Sequence, residues 1–149
     1  GRTGALDDAA ANDGFNLVTQ QTAEWNAEKA QQIVQSVIDA GTPFNVIYAE
    51  NDDMAKGAVA ALDKANISHG VGKDVIVMGF DCNKWALEEL KAGNWNYDGQ
   101  CNPFQASYID DIIKKLENGE TISEKTIIMD EKGFDATTIT QEDVDNYGI

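Results

Sequence analysis

Short runs of consecutive apolar residues alternate along this chain with segments whose apolar residues recur every three or four positions. The runs are residues 15–20, 44–49, 74–80 and 125–130, and residues 96–100 read as a further short strand. Between them, Ala27, Ala30, Ile33, Val34, Val37 and Ile38 fall on one helical face, and so do Met54, Ala58, Ala61, Leu62 and Ala65. Trp85, Ala86, Leu87 and Leu90 mark a shorter helix, and Ala106, Ile109, Ile112, Ile113 and Leu116 a further one. The two periods belong to buried strands and amphipathic helices. Gly41, Gly93 and Gly119 stop three of the helices, as glycine does just past a helix end. A run without polar alternation fits a strand covered on both faces. The expected fold is therefore α/β: a doubly wound, mainly parallel, Rossmann-like sheet flanked by helices, with right-handed crossovers.

The remaining segments are short. Residues 1–14 open with a glycine-containing turn and read as a helix, with Asp7 and Asp8 near its start. Gly1-Arg2-Thr3-Gly4 has neither the GK[ST] nor the GxGxxG pattern of a phosphate loop. Thr140-Gln141-Glu142-Asp143 resembles a helix start before Val144 and Tyr147. At 149 residues the chain is long enough for one domain with a sizeable core.

Charge and composition narrow the partners. Eleven Lys and Arg against twenty-six Asp and Glu give a net charge of −15, which repels phosphate backbones and anionic membrane surfaces. Nucleic acid is therefore not an expected partner. No apolar run approaches the roughly 18 residues of a transmembrane helix. His69, the only histidine, lies in the loop Ser68-His69-Gly70-Val71-Gly72 and reads as a loop residue. Cys82 and Cys101 have neither CxxC spacing nor a nearby histidine, so neither a zinc site nor a Cys-His nucleophile is expected. The chain opens on Gly1 rather than Met, so the lack of a leader-like segment does not inform its location.

Polar residues gather where the strands end. Trp25 follows the first expected strand, Asn51 the second, Phe80 and Asp81 the third, and Gln100 closes the fourth, residues 96–100. In a parallel sheet these ends share one edge, where ligands bind. Asn51 also stands where a helix N-cap is needed. An aromatic plate with amide and carboxylate groups suits a polyhydroxylated ring. The indole covers the apolar C–H face, and Asp, Asn and Gln bond the hydroxyls. No nucleophile–base pair, metal cluster or phosphate cradle accompanies them.

Several stretches together resemble the C-terminal lobe of type I periplasmic sugar-binding proteins, the ribose, galactose/glucose and galactofuranose group of ABC-transporter receptors. They are residues 49–58 (Ala-Glu-Asn-Asp-Asp-Met-Ala-Lys-Gly-Ala), Met78-Gly79-Phe80-Asp81, Leu90-Lys91-Ala92-Gly93 leading to Gln100-Cys101-Asn102-Pro103, Gln21 to Trp25, and Ile139 to Val144. The resemblance implies that Trp25 stacks on the sugar and that Asn51, Asp81 and Gln100 bind its hydroxyls. It implies a similar role for Asp7, an acid used by hexose-binding members. It implies residues 1–149 to be a single lobe of a longer two-lobed protein, beginning where that lobe's central strand should have ended. The expected partners are a monosaccharide, the missing N-terminal lobe and a membrane permease, in an extracytoplasmic setting with no cofactor and no catalysis.

Two points depart from that family or stay open. The family usually carries an Arg in its first helix, shortly before a Gly-Phe pair. Here that position reads as Ala11, so either the register of the loop differs or the pocket lacks a donor fork. Cys82 and Cys101 each lie one residue beyond an implied sugar ligand. A disulfide and two free thiols are both compatible with that placement. The effector-binding core of a sugar-responsive transcription regulator shares the fold, but it would need a helix-turn-helix upstream.

Overall fold

Ten elements form in the computed structural model, which describes all 149 residues, Gly1–Ile149. In chain order they are α1 (Arg2–Asn12), α2 (Ala27–Asp39), β1 (Val46–Tyr48), α3 (Asp52–Lys64), β2 (Ile76–Asp81), α4 (Lys84–Lys91), β3 (Tyr97–Gln100), α5 (Ala106–Glu117), β4 (Gly133–Asp135) and α6 (Gln141–Tyr147). The strands form one sheet in the order β1-β2-β3-β4. The first three are parallel, with Val46 opposite Ile76 and Met78 opposite Tyr97. β4 closes the sheet antiparallel, with Tyr97 opposite Asp135.

Side-chain caps explain three of the helix starts. Asn26 Oδ1 accepts from the Lys29 N–H and Asn51 Oδ1 from the Met54 N–H, each satisfying a donor that a first helical turn leaves free. Thr140 and Asp143 form a reciprocal capping box at α6. α3 also carries Asp52 and Asp53 in its first turn and Lys64 in its last, matching the helix dipole.

The core lies on one face of the sheet. Val75 and Val77 pack there against Ala55 and Leu62 of α3, Leu87 and Leu90 of α4, Trp95 and Val144. Each fully buried leucine or valine contributes about 1.5–3 kcal/mol through removal from water. α2 lies against α3, and Gly57 lets them approach: a Cβ there would stand 2.0 Å from the Ala27 carbonyl oxygen.

Three expectations from the sequence are corrected. The run 15–20 is extended but lies outside the sheet, and Phe15, Leu17 and Val18 are exposed. β1 pairs only with β2, so its outer edge stays open and the run does not pair with it. Residues 125–130 are likewise unpaired, with Ile128 83% exposed. The last strand is instead β4, which the apolar pattern does not mark. Finally, β2 is not covered equally on both faces. Val77 and Gly79 are buried, whereas Ile76 is exposed and Met78 and Phe80 are half-buried. α5 keeps its apolar stripe exposed at Tyr108, Ile109, Ile113 and Leu116.

Candidate functional site

The carboxyl ends of β1, β2 and β3 meet at one edge of the sheet. Asp81 and Gln100 are direct partners in the β2–β3 register, so their backbones lie side by side. Beyond β1, Ala49 donates its N–H to the Met78 carbonyl, and Asn51 follows two residues later. Three residues distant in sequence thus reach one edge through strand register alone.

Each has its partners and a remaining function. Asn51 is buried, and its Oδ1 is occupied by the α3 cap, which leaves the Nδ2 amide to donate elsewhere. Gln100 Oε1 accepts from the Lys132 N–H at 3.2 Å, and its backbone N–H donates to the Lys132 carbonyl at 2.8 Å. Its Nε2 amide also remains. Asp81 Oδ1 accepts from Arg2 Nη2 at 2.8 Å. The edge therefore presents one ionic acceptor and amide donors, the groups that bond vicinal hydroxyls.

Arg2 is the residue that the sequence reading did not place. It starts α1, donates to the Glu50 carbonyl as well as to Asp81, and lies 4.9 Å over the Phe80 ring. Tyr48 O–H anchors it by donating to its backbone carbonyl at 3.0 Å. Phe80 in turn packs edge-on to Tyr48, with ring centroids 5.3 Å apart. So α1 does bring a guanidinium fork to the site, from Arg2 rather than from the position of Ala11. One signal in the sequence pointed there: Arg2 is the only arginine of the chain.

Neither Trp25 nor Asp7 bonds to the residues of this cluster. Trp25 is 61% exposed in the turn before α2. Asp7 is exposed on α1, where it accepts from Gln20 Nε2 at 3.1 Å. Backbone conformation nevertheless links the Trp25 turn with the Asp81 loop. Glu24, Trp25, Asp81 and Cys82 all have positive φ (52°, 60°, 115° and 61°), which non-glycine residues rarely adopt and which concentrates at functional sites.

The Asp81 loop is held from two sides. Asn83 donates both its backbone N–H and its Nδ2 to Asp52 Oδ2, at 2.8 and 3.1 Å. From the other side, the Ile149 N–H donates to the Cys82 carbonyl, and the Ile149 carbonyl accepts from the Lys84 N–H. Behind the edge, Asp52, Asp98 and Cys82 are fully buried. Burial pushes the Asp52 carboxyl up to about 6 and that of Asp98 up to about 8, the latter helped by the negative charge of Asp52. Burial also pushes the Cys82 thiol up, with Asp98 and Asp52 adding to it. The disulfide alternative gives way: both cysteines are free, Cys82 buried with its Sγ 3.8 Å from Asp98 Oδ1, Cys101 exposed.

Residues 2–120 match the family described as periplasmic binding protein domain. The chain is 31% identical over 146 residues to the fructose import binding protein FruE of Bifidobacterium longum, covering 97% of this chain and 42% of that protein. It is 31% identical over 131 residues to a putative rhizopine-binding protein of Rhizobium meliloti, covering 85% and 41%. Among solved structures, an ABC transporter periplasmic solute binding protein of Actinobacillus succinogenes with bound D-allose superposes with a TM-score of 0.77 at 29% identity, over 97% of this chain and 48% of that one. A galactofuranose binding protein superposes at 0.83 with 21% identity, a likeness of fold, over 98% and 49%. The chain spans less than half the length of these relatives.

Proposed function

The chain belongs to the periplasmic binding protein domain family, and on that premise we propose that it is the C-terminal lobe of a sugar receptor serving an ABC importer outside the cytoplasm. The observation that carries this reading is the registered pair Asp81 and Gln100, with Arg2 on the Asp81 carboxylate and Asn51 beside them. An ionised carboxylate, a guanidinium and two free amides on one edge bond the hydroxyls of a monosaccharide, and Asp81 accepts the strongest of those bonds. Trp25, bare on its turn, supplies the stacking face, and Asp7 reaches the ligand from α1. The site binds without transforming: its chemistry is hydrogen bonding.

The same reading assigns a second lobe. The fructose import binding protein, of which this chain covers 42%, supports a whole receptor about twice this length. The exposed stripe of α5 and the bare run 15–20 are apolar surface that a larger molecule covers. Closure of two lobes over the sugar then presents the loaded form to a permease.

Substitution in the two-lobed protein tests the assignment. Asp81→Ala removes hydrogen bonds to a charged group, each worth about 1.5–3 kcal/mol, so the sugar Kd rises about ten- to a hundredfold. Trp25→Ala lowers affinity as well. Calorimetry that finds unchanged affinity in both variants refutes the pocket.

A further inference from the structure

Gly79 and Asp98 are partners in the parallel β2–β3 ladder, so their Cα–Cβ directions share one face of the sheet. Asp52, in the first turn of α3, fills the space that a Gly79 side chain would occupy. Its Oδ1 lies 2.7 Å from the position of a Cβ there. Its carboxyl therefore lies over Gly79 and beside Asp98, within hydrogen-bonding reach of it. Both aspartates are fully buried. Asp52 Oδ2 is taken by the two Asn83 donors, and Asp98 Oδ1 faces the Cys82 thiol. One oxygen on each carboxyl, Asp52 Oδ1 and Asp98 Oδ2, is left with no N–H or O–H partner.

Two buried, adjacent, fully ionised carboxylates repel each other and lose their hydration without compensation. One proton between the free oxygens removes both costs. We propose that Asp52 and Asp98 share one proton across β2, and that this bridge positions Asn51 and Gln100 at the binding edge. Asp52 adjoins Asn51 at the start of α3, and Asp98 lies two residues before Gln100 on β3. The bridge thus fixes the spacing of two strand ends that no backbone bond joins directly. Through Asn83 it also fixes the loop that carries Asp81.

The charged and titratable groups facing the pair are Cys82 and Asp81 from the end of β2, with Arg2 of α1 paired to that Asp81. No ion pair reaches either carboxyl. As pH rises the pair gives its proton to solvent and becomes two carboxylates, and the strand ends spread. In so far as the edge binds sugar, which rests on the function proposed above, Kd rises by up to about tenfold per pH unit beyond that ionisation, the slope of one linked proton.

The test is a pH titration of the full chain by NMR, with aspartate carboxyl carbons labelled and no sugar present. We expect two carboxyl signals to titrate together, above all the others, and the side-chain amide signals of Asn51 and Gln100 to move in step with them. In Asp98→Asn, whose amide donates to Asp52 without a titrating proton, the amide signals stay still over the same range while the fold is kept. If every aspartate titrates in the ordinary carboxylate range, or if the two amides ignore the transition, the bridge is overturned. Neither result depends on sugar binding, so failure of the receptor reading shows separately, as a sugar screen without response.

Discussion

Asp81 and Cys82 hold left-handed backbone angles that side chains disfavour, and the loop keeps them because Asn83 is tied to Asp52 and Cys82 to Ile149. The fully buried carboxyls behind that loop carry a pH dependence. Burial raises both, Asp52 to about 6 and Asp98 to about 8, while in the unfolded chain they are ordinary carboxyls. Over the interval between those values the folded state keeps protons that the unfolded state has released. The stability this gives is complete below the ordinary aspartate range and is lost as pH rises towards 8. Urea unfolding midpoints should fall as pH rises from about 5 to about 8, and the slope should flatten in Asp98→Asn. A midpoint that rises across this range would contradict the account. The cysteines separate by the same physics. Cys101 is exposed and Cys82 is a buried thiol pushed upward. Mass spectrometry should find Cys101 alkylated in the native protein and Cys82 only after unfolding; one alkylated site without reductant before denaturation and two after it is the expected count.

Legibility at this scale followed chain locality. Asn51 reads as a cap because its partner, Met54, is three residues away. Asp81 and Gln100 read as neighbours because strand ends in a parallel sheet coincide. Arg2 does not, since nothing in residues 1–14 says that the helix returns to Asp81, seventy-nine positions on. The Asp52–Asp98 contact is hidden for the same reason: one belongs to a helix start and the other to a strand whose register is unknown from sequence.

Elements divide along the same line. The amphipathic helices α2, α3, α4 and α5 carry their own signal in their period, and α2, α3 and α6 in their caps as well. A strand needs an edge to pair with, and the apolar run alone does not supply one. Residues 15–20 and 125–130 have the composition of strands but no partner, while Gly133–Asp135 has a weak signal and pairs with β3. Helix packing depends on a single small residue. A Cβ at Gly57 would meet the Ala27 backbone at under 3 Å, through oxygen, carbonyl carbon and Cα alike. Gly57→Ala must push α2 away from α3, since backbone atoms cannot swing aside. Overpacking of this kind costs about 1–3 kcal/mol, measurable as a lower urea midpoint with little change in m. Helix propensity pulls the other way, by up to about 1 kcal/mol in favour of alanine. A more stable variant would therefore mean that the two helices are not in close contact.

The molecule as a whole is a strongly acidic α/β unit with half of its sheet sealed and much apolar surface bare. The sealed half, on the Val77 face, builds the site edge. The bare half includes α5 and the run 15–20, and no element of this chain covers either. That division was partly legible, because the resemblance implied a lobe of something larger, yet the sequence does not say which apolar faces stay open. The central claim is that the edge formed by Arg2, Asn51, Asp81 and Gln100 is one side of a monosaccharide site. A ligand that binds the native state alone raises its unfolding temperature by mass action. The most direct measurement is a thermal-shift and calorimetric screen of monosaccharides on the two-lobed protein beside this chain. The account predicts that one sugar raises the melting temperature of the two-lobed form, with little or no effect on the lone lobe. No response from either form to any monosaccharide would contradict it.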